Sequence, residues 1–280
     1  MNFPPFLEAQ LRLCRNNVAL SYDFVVGWDE PQSLAKSLCL ENSSNQARSI
    51  ANSYGASFQV IPPWIHNERN LFFSKSDLVR HNPIDPAVRC ANTLNYMLGM
   101  IPWRKYKDVL VLDSDMFPIK QISESPVGST KPIAGVSQVR GKSHYEYFWN
   151  GLVWISAEAP FSELINFDIV KTGKVKTDVG GRTNQYIQLC RRLNLDPVFL
   201  NHFSSLTWGL AELESLQLGE NLENWIQSDY RNTSGFYSEI YDGKFLHYRG
   251  GGNWMNRGAP AEIENRLTLI EALELDRCFG

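Results

Sequence analysis

The stretch Asp108-Val109-Leu110-Val111-Leu112-Asp113-Ser114-Asp115-Met116-Phe117-Pro118 decides how the chain is read. A short apolar run, rich in branched residues, breaks off at two acids one position apart. Such a run is too short for a helix and reads as a buried strand. In open α/β sheets, ligands sit outside the carboxyl ends of the strands, so Asp113 and Asp115 stand where a ligand would be. Two carboxylates at that point, with water and phosphate oxygens completing the shell, suit Mg²⁺ or Mn²⁺ held against a diphosphate. Acids at a strand end also cap turns, and the pattern alone does not choose between the two readings.

The elements on either side alternate. Upstream, Pro4-Pro5 opens a helix over 6–16, followed by a strand over 22–28 that ends at Asp29. A polar helix over 43–54 stops at Gly55, and a strand over 57–61 stops at Pro62-Pro63. The long polar loop 64–86 is of the kind that usually carries function. A helix over 87–100, capped by Asp85-Pro86, sets Arg89, Asn92 and Asn95 at three-residue steps along one polar face.

Downstream, strands are expected over 133–136 and 150–155, the second fronted by Tyr145, Tyr147, Phe148 and Trp149. Thr177-Asp178-Val179-Gly180-Gly181 leads into a helix over 183–193, and a short strand follows over 197–200. Residues 204–234 give no clear pattern. A strand over 245–248 runs into Arg249-Gly250-Gly251-Gly252-Asn253-Trp254, and a helix over 260–275 closes the chain. Strands alternating with helices imply a single α/β domain around a mainly parallel sheet.

Composition narrows the function classes. With 280 residues, 43% hydrophobic and 20% charged, the chain can bury a sizeable core. Its net charge of −3 lacks the basic footprint of a nucleic-acid binder. The five cysteines are scattered with no C-x-x-C pair, which argues against a disulfide framework and a zinc site and for reduced thiols in the cytoplasm. No run reaches the ~18 apolar residues of a transmembrane segment. Glu8 and Arg12 interrupt the start, so no signal peptide is expected, and the sequons at Asn42 and Asn232 carry no glycan on this reading.

With these elements in order, the chain from about residue 3 to 255 resembles a glycosyltransferase of the GT-A fold. A strand ending at Asp29, a helix with Arg89 and Asn92, and Val-Leu-Asp-Ser-Asp-Met-Phe-Pro at 111–118 follow one another as they do in these enzymes. Within the fold it is similar to an uncharacterised bacterial and viral group. The shared features are Asn-Phe-Pro-Pro-Phe at 2–6, Asp-x-Gly-Gly at 178–181, and His-Tyr-Arg followed by Asn-Trp within 247–254. The last segment also resembles the His-x-x-Gly-x-x-Lys-Pro-Trp of glycogenin-like transferases, although Asn253 stands where the lysine would be.

The resemblance implies a metal-dependent, hexosyltransferase-type enzyme with a nucleotide-sugar donor and an unspecified glycan, lipid or protein acceptor. Residues 1–120 would be the nucleotide-binding half, and 121–280 would complete the metal and acceptor site. Asp113 would contact the ribose or the metal, Asp115 would ligate Mn²⁺ or Mg²⁺, and His247 would be the third ligand through a neutral imidazole. Asp29 would meet the base or ribose, or else cap the chain before Pro31. Arg89 and Asn92 would meet the diphosphate or base, or else form a solvated helix face. Asp178, beside a Gly-Gly turn, would act as general base in an inverting reaction, or else cap the following helix. Trp149, Trp154 and Trp254 are candidate stacking faces for a sugar, as well as candidate core residues.

The family pattern opens with a strand ahead of the first helix, in the middle of the sheet. Too few residues precede Phe6 to build it, so the start is expected to lie upstream of Met1 or the product to be shortened. The strands at 22–28 and 109–112 should then be unpaired on one side or newly adjacent. Two other readings compete. One is a non-catalytic sugar-nucleotide or glycan-binding protein. The other is a haloacid-dehalogenase-like phosphatase, whose later Gly-Asp pair this chain lacks. A phosphate loop at Gly141-Lys142-Ser143 fails by one residue, because Gly135 lies one position too far upstream.

Overall fold

Two prolines at its first positions start helix α1 (Pro4–Asn17), and its apolar residues face two ways. Leu7 and Leu11 pack with Val26 and Trp28, and with Ala47 and Ala51 of helix α2 (Ser43–Ser53), whose small residues allow close approach. Phe6, Ala9 and Leu13 turn instead to Phe117, Tyr248 and Leu269. The computed structural model describes residues 3–29, 43–66, 86–141, 144–172, 175–250 and 259–276.

Strand β1 (Val25–Trp28) pairs in parallel with β2 (Ser57–Val60). Helix α3 (Pro86–Gly99) crosses beside them, with the Met97 side chain against Gly27. The central sheet has the order β3-β6-β5-β9: β3 (Asp108–Leu112), β6 (Tyr145–Ser156), β5 (Ile133–Arg140) and β9 (Val198–Phe199). A second sheet, β10-β11-β12-β4, joins β10 (His202–Phe203), β11 (Glu239–Tyr241) and β12 (Phe245–His247) to β4 (Met116–Pro118). A hairpin, β7 (Lys171–Thr172) and β8 (Val175–Lys176), precedes α4 (Thr183–Arg192). Helices α5 (Leu210–Leu216), α6 (Glu220–Ser228) and α7 (Ala259–Leu275) pack around the second sheet.

The fold is α/β, but the expected mainly parallel sheet is corrected to a mixed one. Among the described residues, β1·β2 and β5·β9 are parallel, while β3 and β5 both run antiparallel to β6. The reason is local: only four residues separate Arg140 from Tyr145, too few for the crossover that parallel neighbours need, so β5 and β6 run in opposite directions. Tyr145, Tyr147, Phe148 and Trp149 lie inside the long strand β6 rather than in front of it. The segment without a clear pattern contains α5 and α6. Asp85, the expected cap of α3, lies outside the described residues.

Among the described residues, β1 pairs only with β2 and β3 only with β6, so each has one edge without a strand. Every residue of β3 is half-buried, whereas the opposing Leu152–Ser156 stretch of β6 is buried throughout. No helix among the described residues is long and apolar enough to cross a membrane.

Candidate functional site

The two acids form the link between the sheets. Leu112 ends β3, Met116 begins β4, and Asp113-Ser114-Asp115 turns the chain from one sheet into the other. The Asp113 N–H makes a last rung to the Gly151 carbonyl at 2.9 Å. The Asp113 Oδ1 takes the Ser114 N–H at 2.8 Å. Gln10, buried on α1, donates its amide to the carbonyls of both Asp113 and Met116, each at 2.7 Å.

Strand pairing then delivers the histidine. In the β4·β12 register His247 stands opposite Met116, and the Tyr248 N–H bonds the Asp115 carbonyl at 2.9 Å. His247 Nε2 consequently lies 3.5 Å from Asp115 Oδ1, an ion-pair separation longer than a good hydrogen bond. Both residues are 6% exposed. Asp115 Oδ1 is buried and has no hydrogen-bond partner, a costly state that a ligand would relieve. Beyond the strand end, Tyr248 is clamped by Glu262, Asn265 and the Arg231 guanidinium 3.9 Å over its ring.

The electrostatics reflect this crowding. Burial and the neighbouring Asp115 charge push the Asp113 carboxyl up to about 6. Burial works against a charged His247, but the Asp115 charge and the contacts to Asp115 and Glu239 outweigh it and raise the imidazole to about 10. Glu239, drawn up by burial, is pulled down more strongly by His247 and the Tyr241 hydroxyl, to about 2. Asp115 and His247 bring together one carboxylate oxygen and one ring nitrogen, donor types that a divalent cation accepts. Among the described residues, no group of three or more His, Cys, Asp or Glu side chains stands close enough together to hold a metal ion.

The other expected residues divide. Asp29 is held by Arg89, whose Nε bonds Oδ2 at 3.0 Å and whose Nη2 bonds Oδ1 at 2.5 Å, and by His66 Nε2 at 3.1 Å. Two residues expected to meet a nucleotide separately thus hold each other. Asn92 stays half-buried on the same helix. Asn95 does not share the Arg89 direction: it bonds Asp168 Oδ1 and the Phe167 N–H, each at 2.8 Å. Steps of three residues drift around a helix, so positions six apart diverge by about 120°.

Asp178 is not the cap of α4, whose N-cap is Arg182; its Oδ1 takes the Val179 N–H at 2.8 Å. Gly180 has φ +100°, and a Cβ there would lie 2.0 Å from the Phe148 carbonyl oxygen, so this turn presses directly on β6. Burial raises the Cys90 thiol pKa on α3, and the charges of Asp113, Asp178 and Asp29 add to it. Trp154 is core, Trp149 lies against His247 with ring centroids 4.9 Å apart, and Trp254 lies outside the described residues. Asn232 staples its own loop, donating to the Ile226 carbonyl and accepting from the Tyr237 N–H.

Glu239 and Tyr241 escaped the sequence reading. Their signal was Asp242-Gly243, two turn-forming residues, both with positive φ, between short apolar runs. The hairpin closes through Lys244 N–H to the Tyr241 carbonyl at 3.0 Å, and its register puts Glu239 opposite His247. No protein-family model, curated protein or solved structure matches the chain.

Proposed function

We propose that this protein is a metal-dependent, hexosyltransferase-type glycosyltransferase of the GT-A kind. It would move a sugar from a nucleotide diphosphate to an acceptor hydroxyl on a glycan, lipid or protein. One observation carries the reading: Asp115 with its unpartnered buried oxygen, and His247, distant in sequence, meet at 3.5 Å at the end of β3.

Glycosyl transfer builds positive charge on the sugar and negative charge on the departing diphosphate. A divalent cation, when bound, stabilises that leaving group. Asp115 and His247 supply its ligands, and Asp113 faces the cation or the ribose. Asp29 serves mainly to orient Arg89, which is left to meet the donor together with Asn92. Asp178 keeps one oxygen on Val179 and uses the other to accept the acceptor's proton in an inverting reaction. On this reading, residues 1–120 bind the nucleotide, and 121–280 complete the metal and acceptor site.

A screen of nucleotide sugars with Mn²⁺, read by thermal shift and by released nucleotide, tests the proposal. Stabilisation and slow donor hydrolysis by at least one compound are expected; silence across the panel would overturn it. A second reading, a sugar-nucleotide binder without turnover, draws on the edges of β1 and β3 that pair with no strand among the described residues. It predicts Mn²⁺-dependent stabilisation with no hydrolysis.

A further inference from the structure

Glu239 makes more contacts than a strand residue needs for pairing. It stands directly across from His247 in the β11·β12 ladder. Its Oε2 meets His247 Nδ1 at 2.8 Å and takes the Tyr241 hydroxyl at 2.6 Å, while Oε1 takes the Ser205 N–H at 3.4 Å. The imidazole is also packed against two aromatic rings, with Trp149 at 4.9 Å and Tyr241 at 5.9 Å between centroids. The ring therefore has little freedom to rotate, and one of its nitrogens is committed.

We infer that Glu239 is the positioning residue of the cation site: it holds the proton on His247 Nδ1 and so turns the Nε2 lone pair toward the space beside Asp115 Oδ1. This rests on the metal-dependent reading above. The physical reason is that an imidazole that gives one nitrogen to a cation keeps its single proton on the other. A fixed acceptor at Nδ1 decides which nitrogen can ligate. Tyr241 is the weaker partner: its hydroxyl donates to the carboxylate oxygen that meets the ring, at 2.6 Å, and lies 3.3 Å from Nδ1 itself. A Glu239 that merely stitched β11 to β12 would not influence which nitrogen binds metal.

The test uses the full chain. Mn²⁺ affinity is measured by titration, and the two ring nitrogens of His247 are followed by nitrogen-15 NMR in protein loaded with diamagnetic Zn²⁺. In the wild-type protein the metal should sit on Nε2 and the proton on Nδ1. Glu239→Gln should weaken Mn²⁺ binding about 10–100-fold and give mixed ring-nitrogen signals, because an amide no longer demands a donor. Tyr241→Phe should weaken it less, in the same direction, and it carries the test if Glu239→Gln fails to fold. Unchanged affinity or unchanged ring signals in a folded variant would overturn the inference while leaving the metal reading intact. A wild-type protein that binds neither ion would overturn both.

Discussion

Asp29 follows β1 and Asp115 closes the turn that leaves β3, yet the two carboxylates are handled differently. Asp29 takes two hydrogen bonds from Arg89 and one from His66. Asp115 faces a single imidazole at 3.5 Å and keeps a buried oxygen without a hydrogen-bond partner. A carboxylate whose oxygens are all met in the folded chain gains little from a ligand. One left short stands to gain much, since an unmet buried acceptor costs about 1–3 kcal/mol. The contrast separates a carboxylate that builds the site from one that would act in it.

The strongest test of this contrast is Asp115→Asn, which keeps size while removing charge. Mn²⁺-dependent release of nucleotide should fall by at least about 100-fold, the upper end of what a merely orienting neighbour costs, while the fold is retained. Normal turnover in this variant would erase the distinction. Arg89→Ala attacks the other side. It leaves Asp29 partly buried without its main partner and should cost about 2 kcal/mol in urea unfolding. That is less than a fully buried pair would lose, because both side chains are 18% exposed.

Gly151→Ala sharpens the comparison more gently. A Cβ there would lie 1.9 Å from a ring carbon of Trp149, so the indole must swing off His247. A cost near the low end of the about 1–3 kcal/mol typical of overpacking is expected. A change in tryptophan emission, absent when Trp149→Phe is made first, would confirm the source.

The smallest effect concerns pH at the Asp29 cluster. Burial holds the His66 pKa below its ordinary 6.5, with the Arg89 charge adding to it and Asp29 opposing. Below 6.5 the unfolded chain takes up this proton first. The stability His66 contributes is therefore present above that pH and is lost as pH falls through the folded value. Melting temperatures at pH 5 and 7 should differ less in His66→Gln than in the wild type.

Local pattern made parts of this legible. The β3 run, the proline-started α1 and the Gly-Gly turn after Asp178 are local in cause, and the sequence displays them. The Asp115–His247 meeting was expected only through resemblance, because it depends on β4 pairing with β12. A three-residue strand such as Met116–Pro118 has no periodicity to read. The Asp29–Arg89 pair was hidden for a related reason. Sequence shows two residues suited to a ligand, but not that they satisfy each other first. The antiparallel β5·β6 pairing escaped because alternating strands and helices imply parallel neighbours, whereas only four residues separate Arg140 from Tyr145.

Gln10 has a consequence for portability. Its single amide grips the carbonyls at both ends of the acidic turn, yet it belongs to the first helix, some hundred positions earlier in the chain. The octapeptide that advertises the site cannot carry its own shape elsewhere. Grafted onto another scaffold without a surrogate for that amide, the two acids would lose the spacing on which the proposed cation site depends.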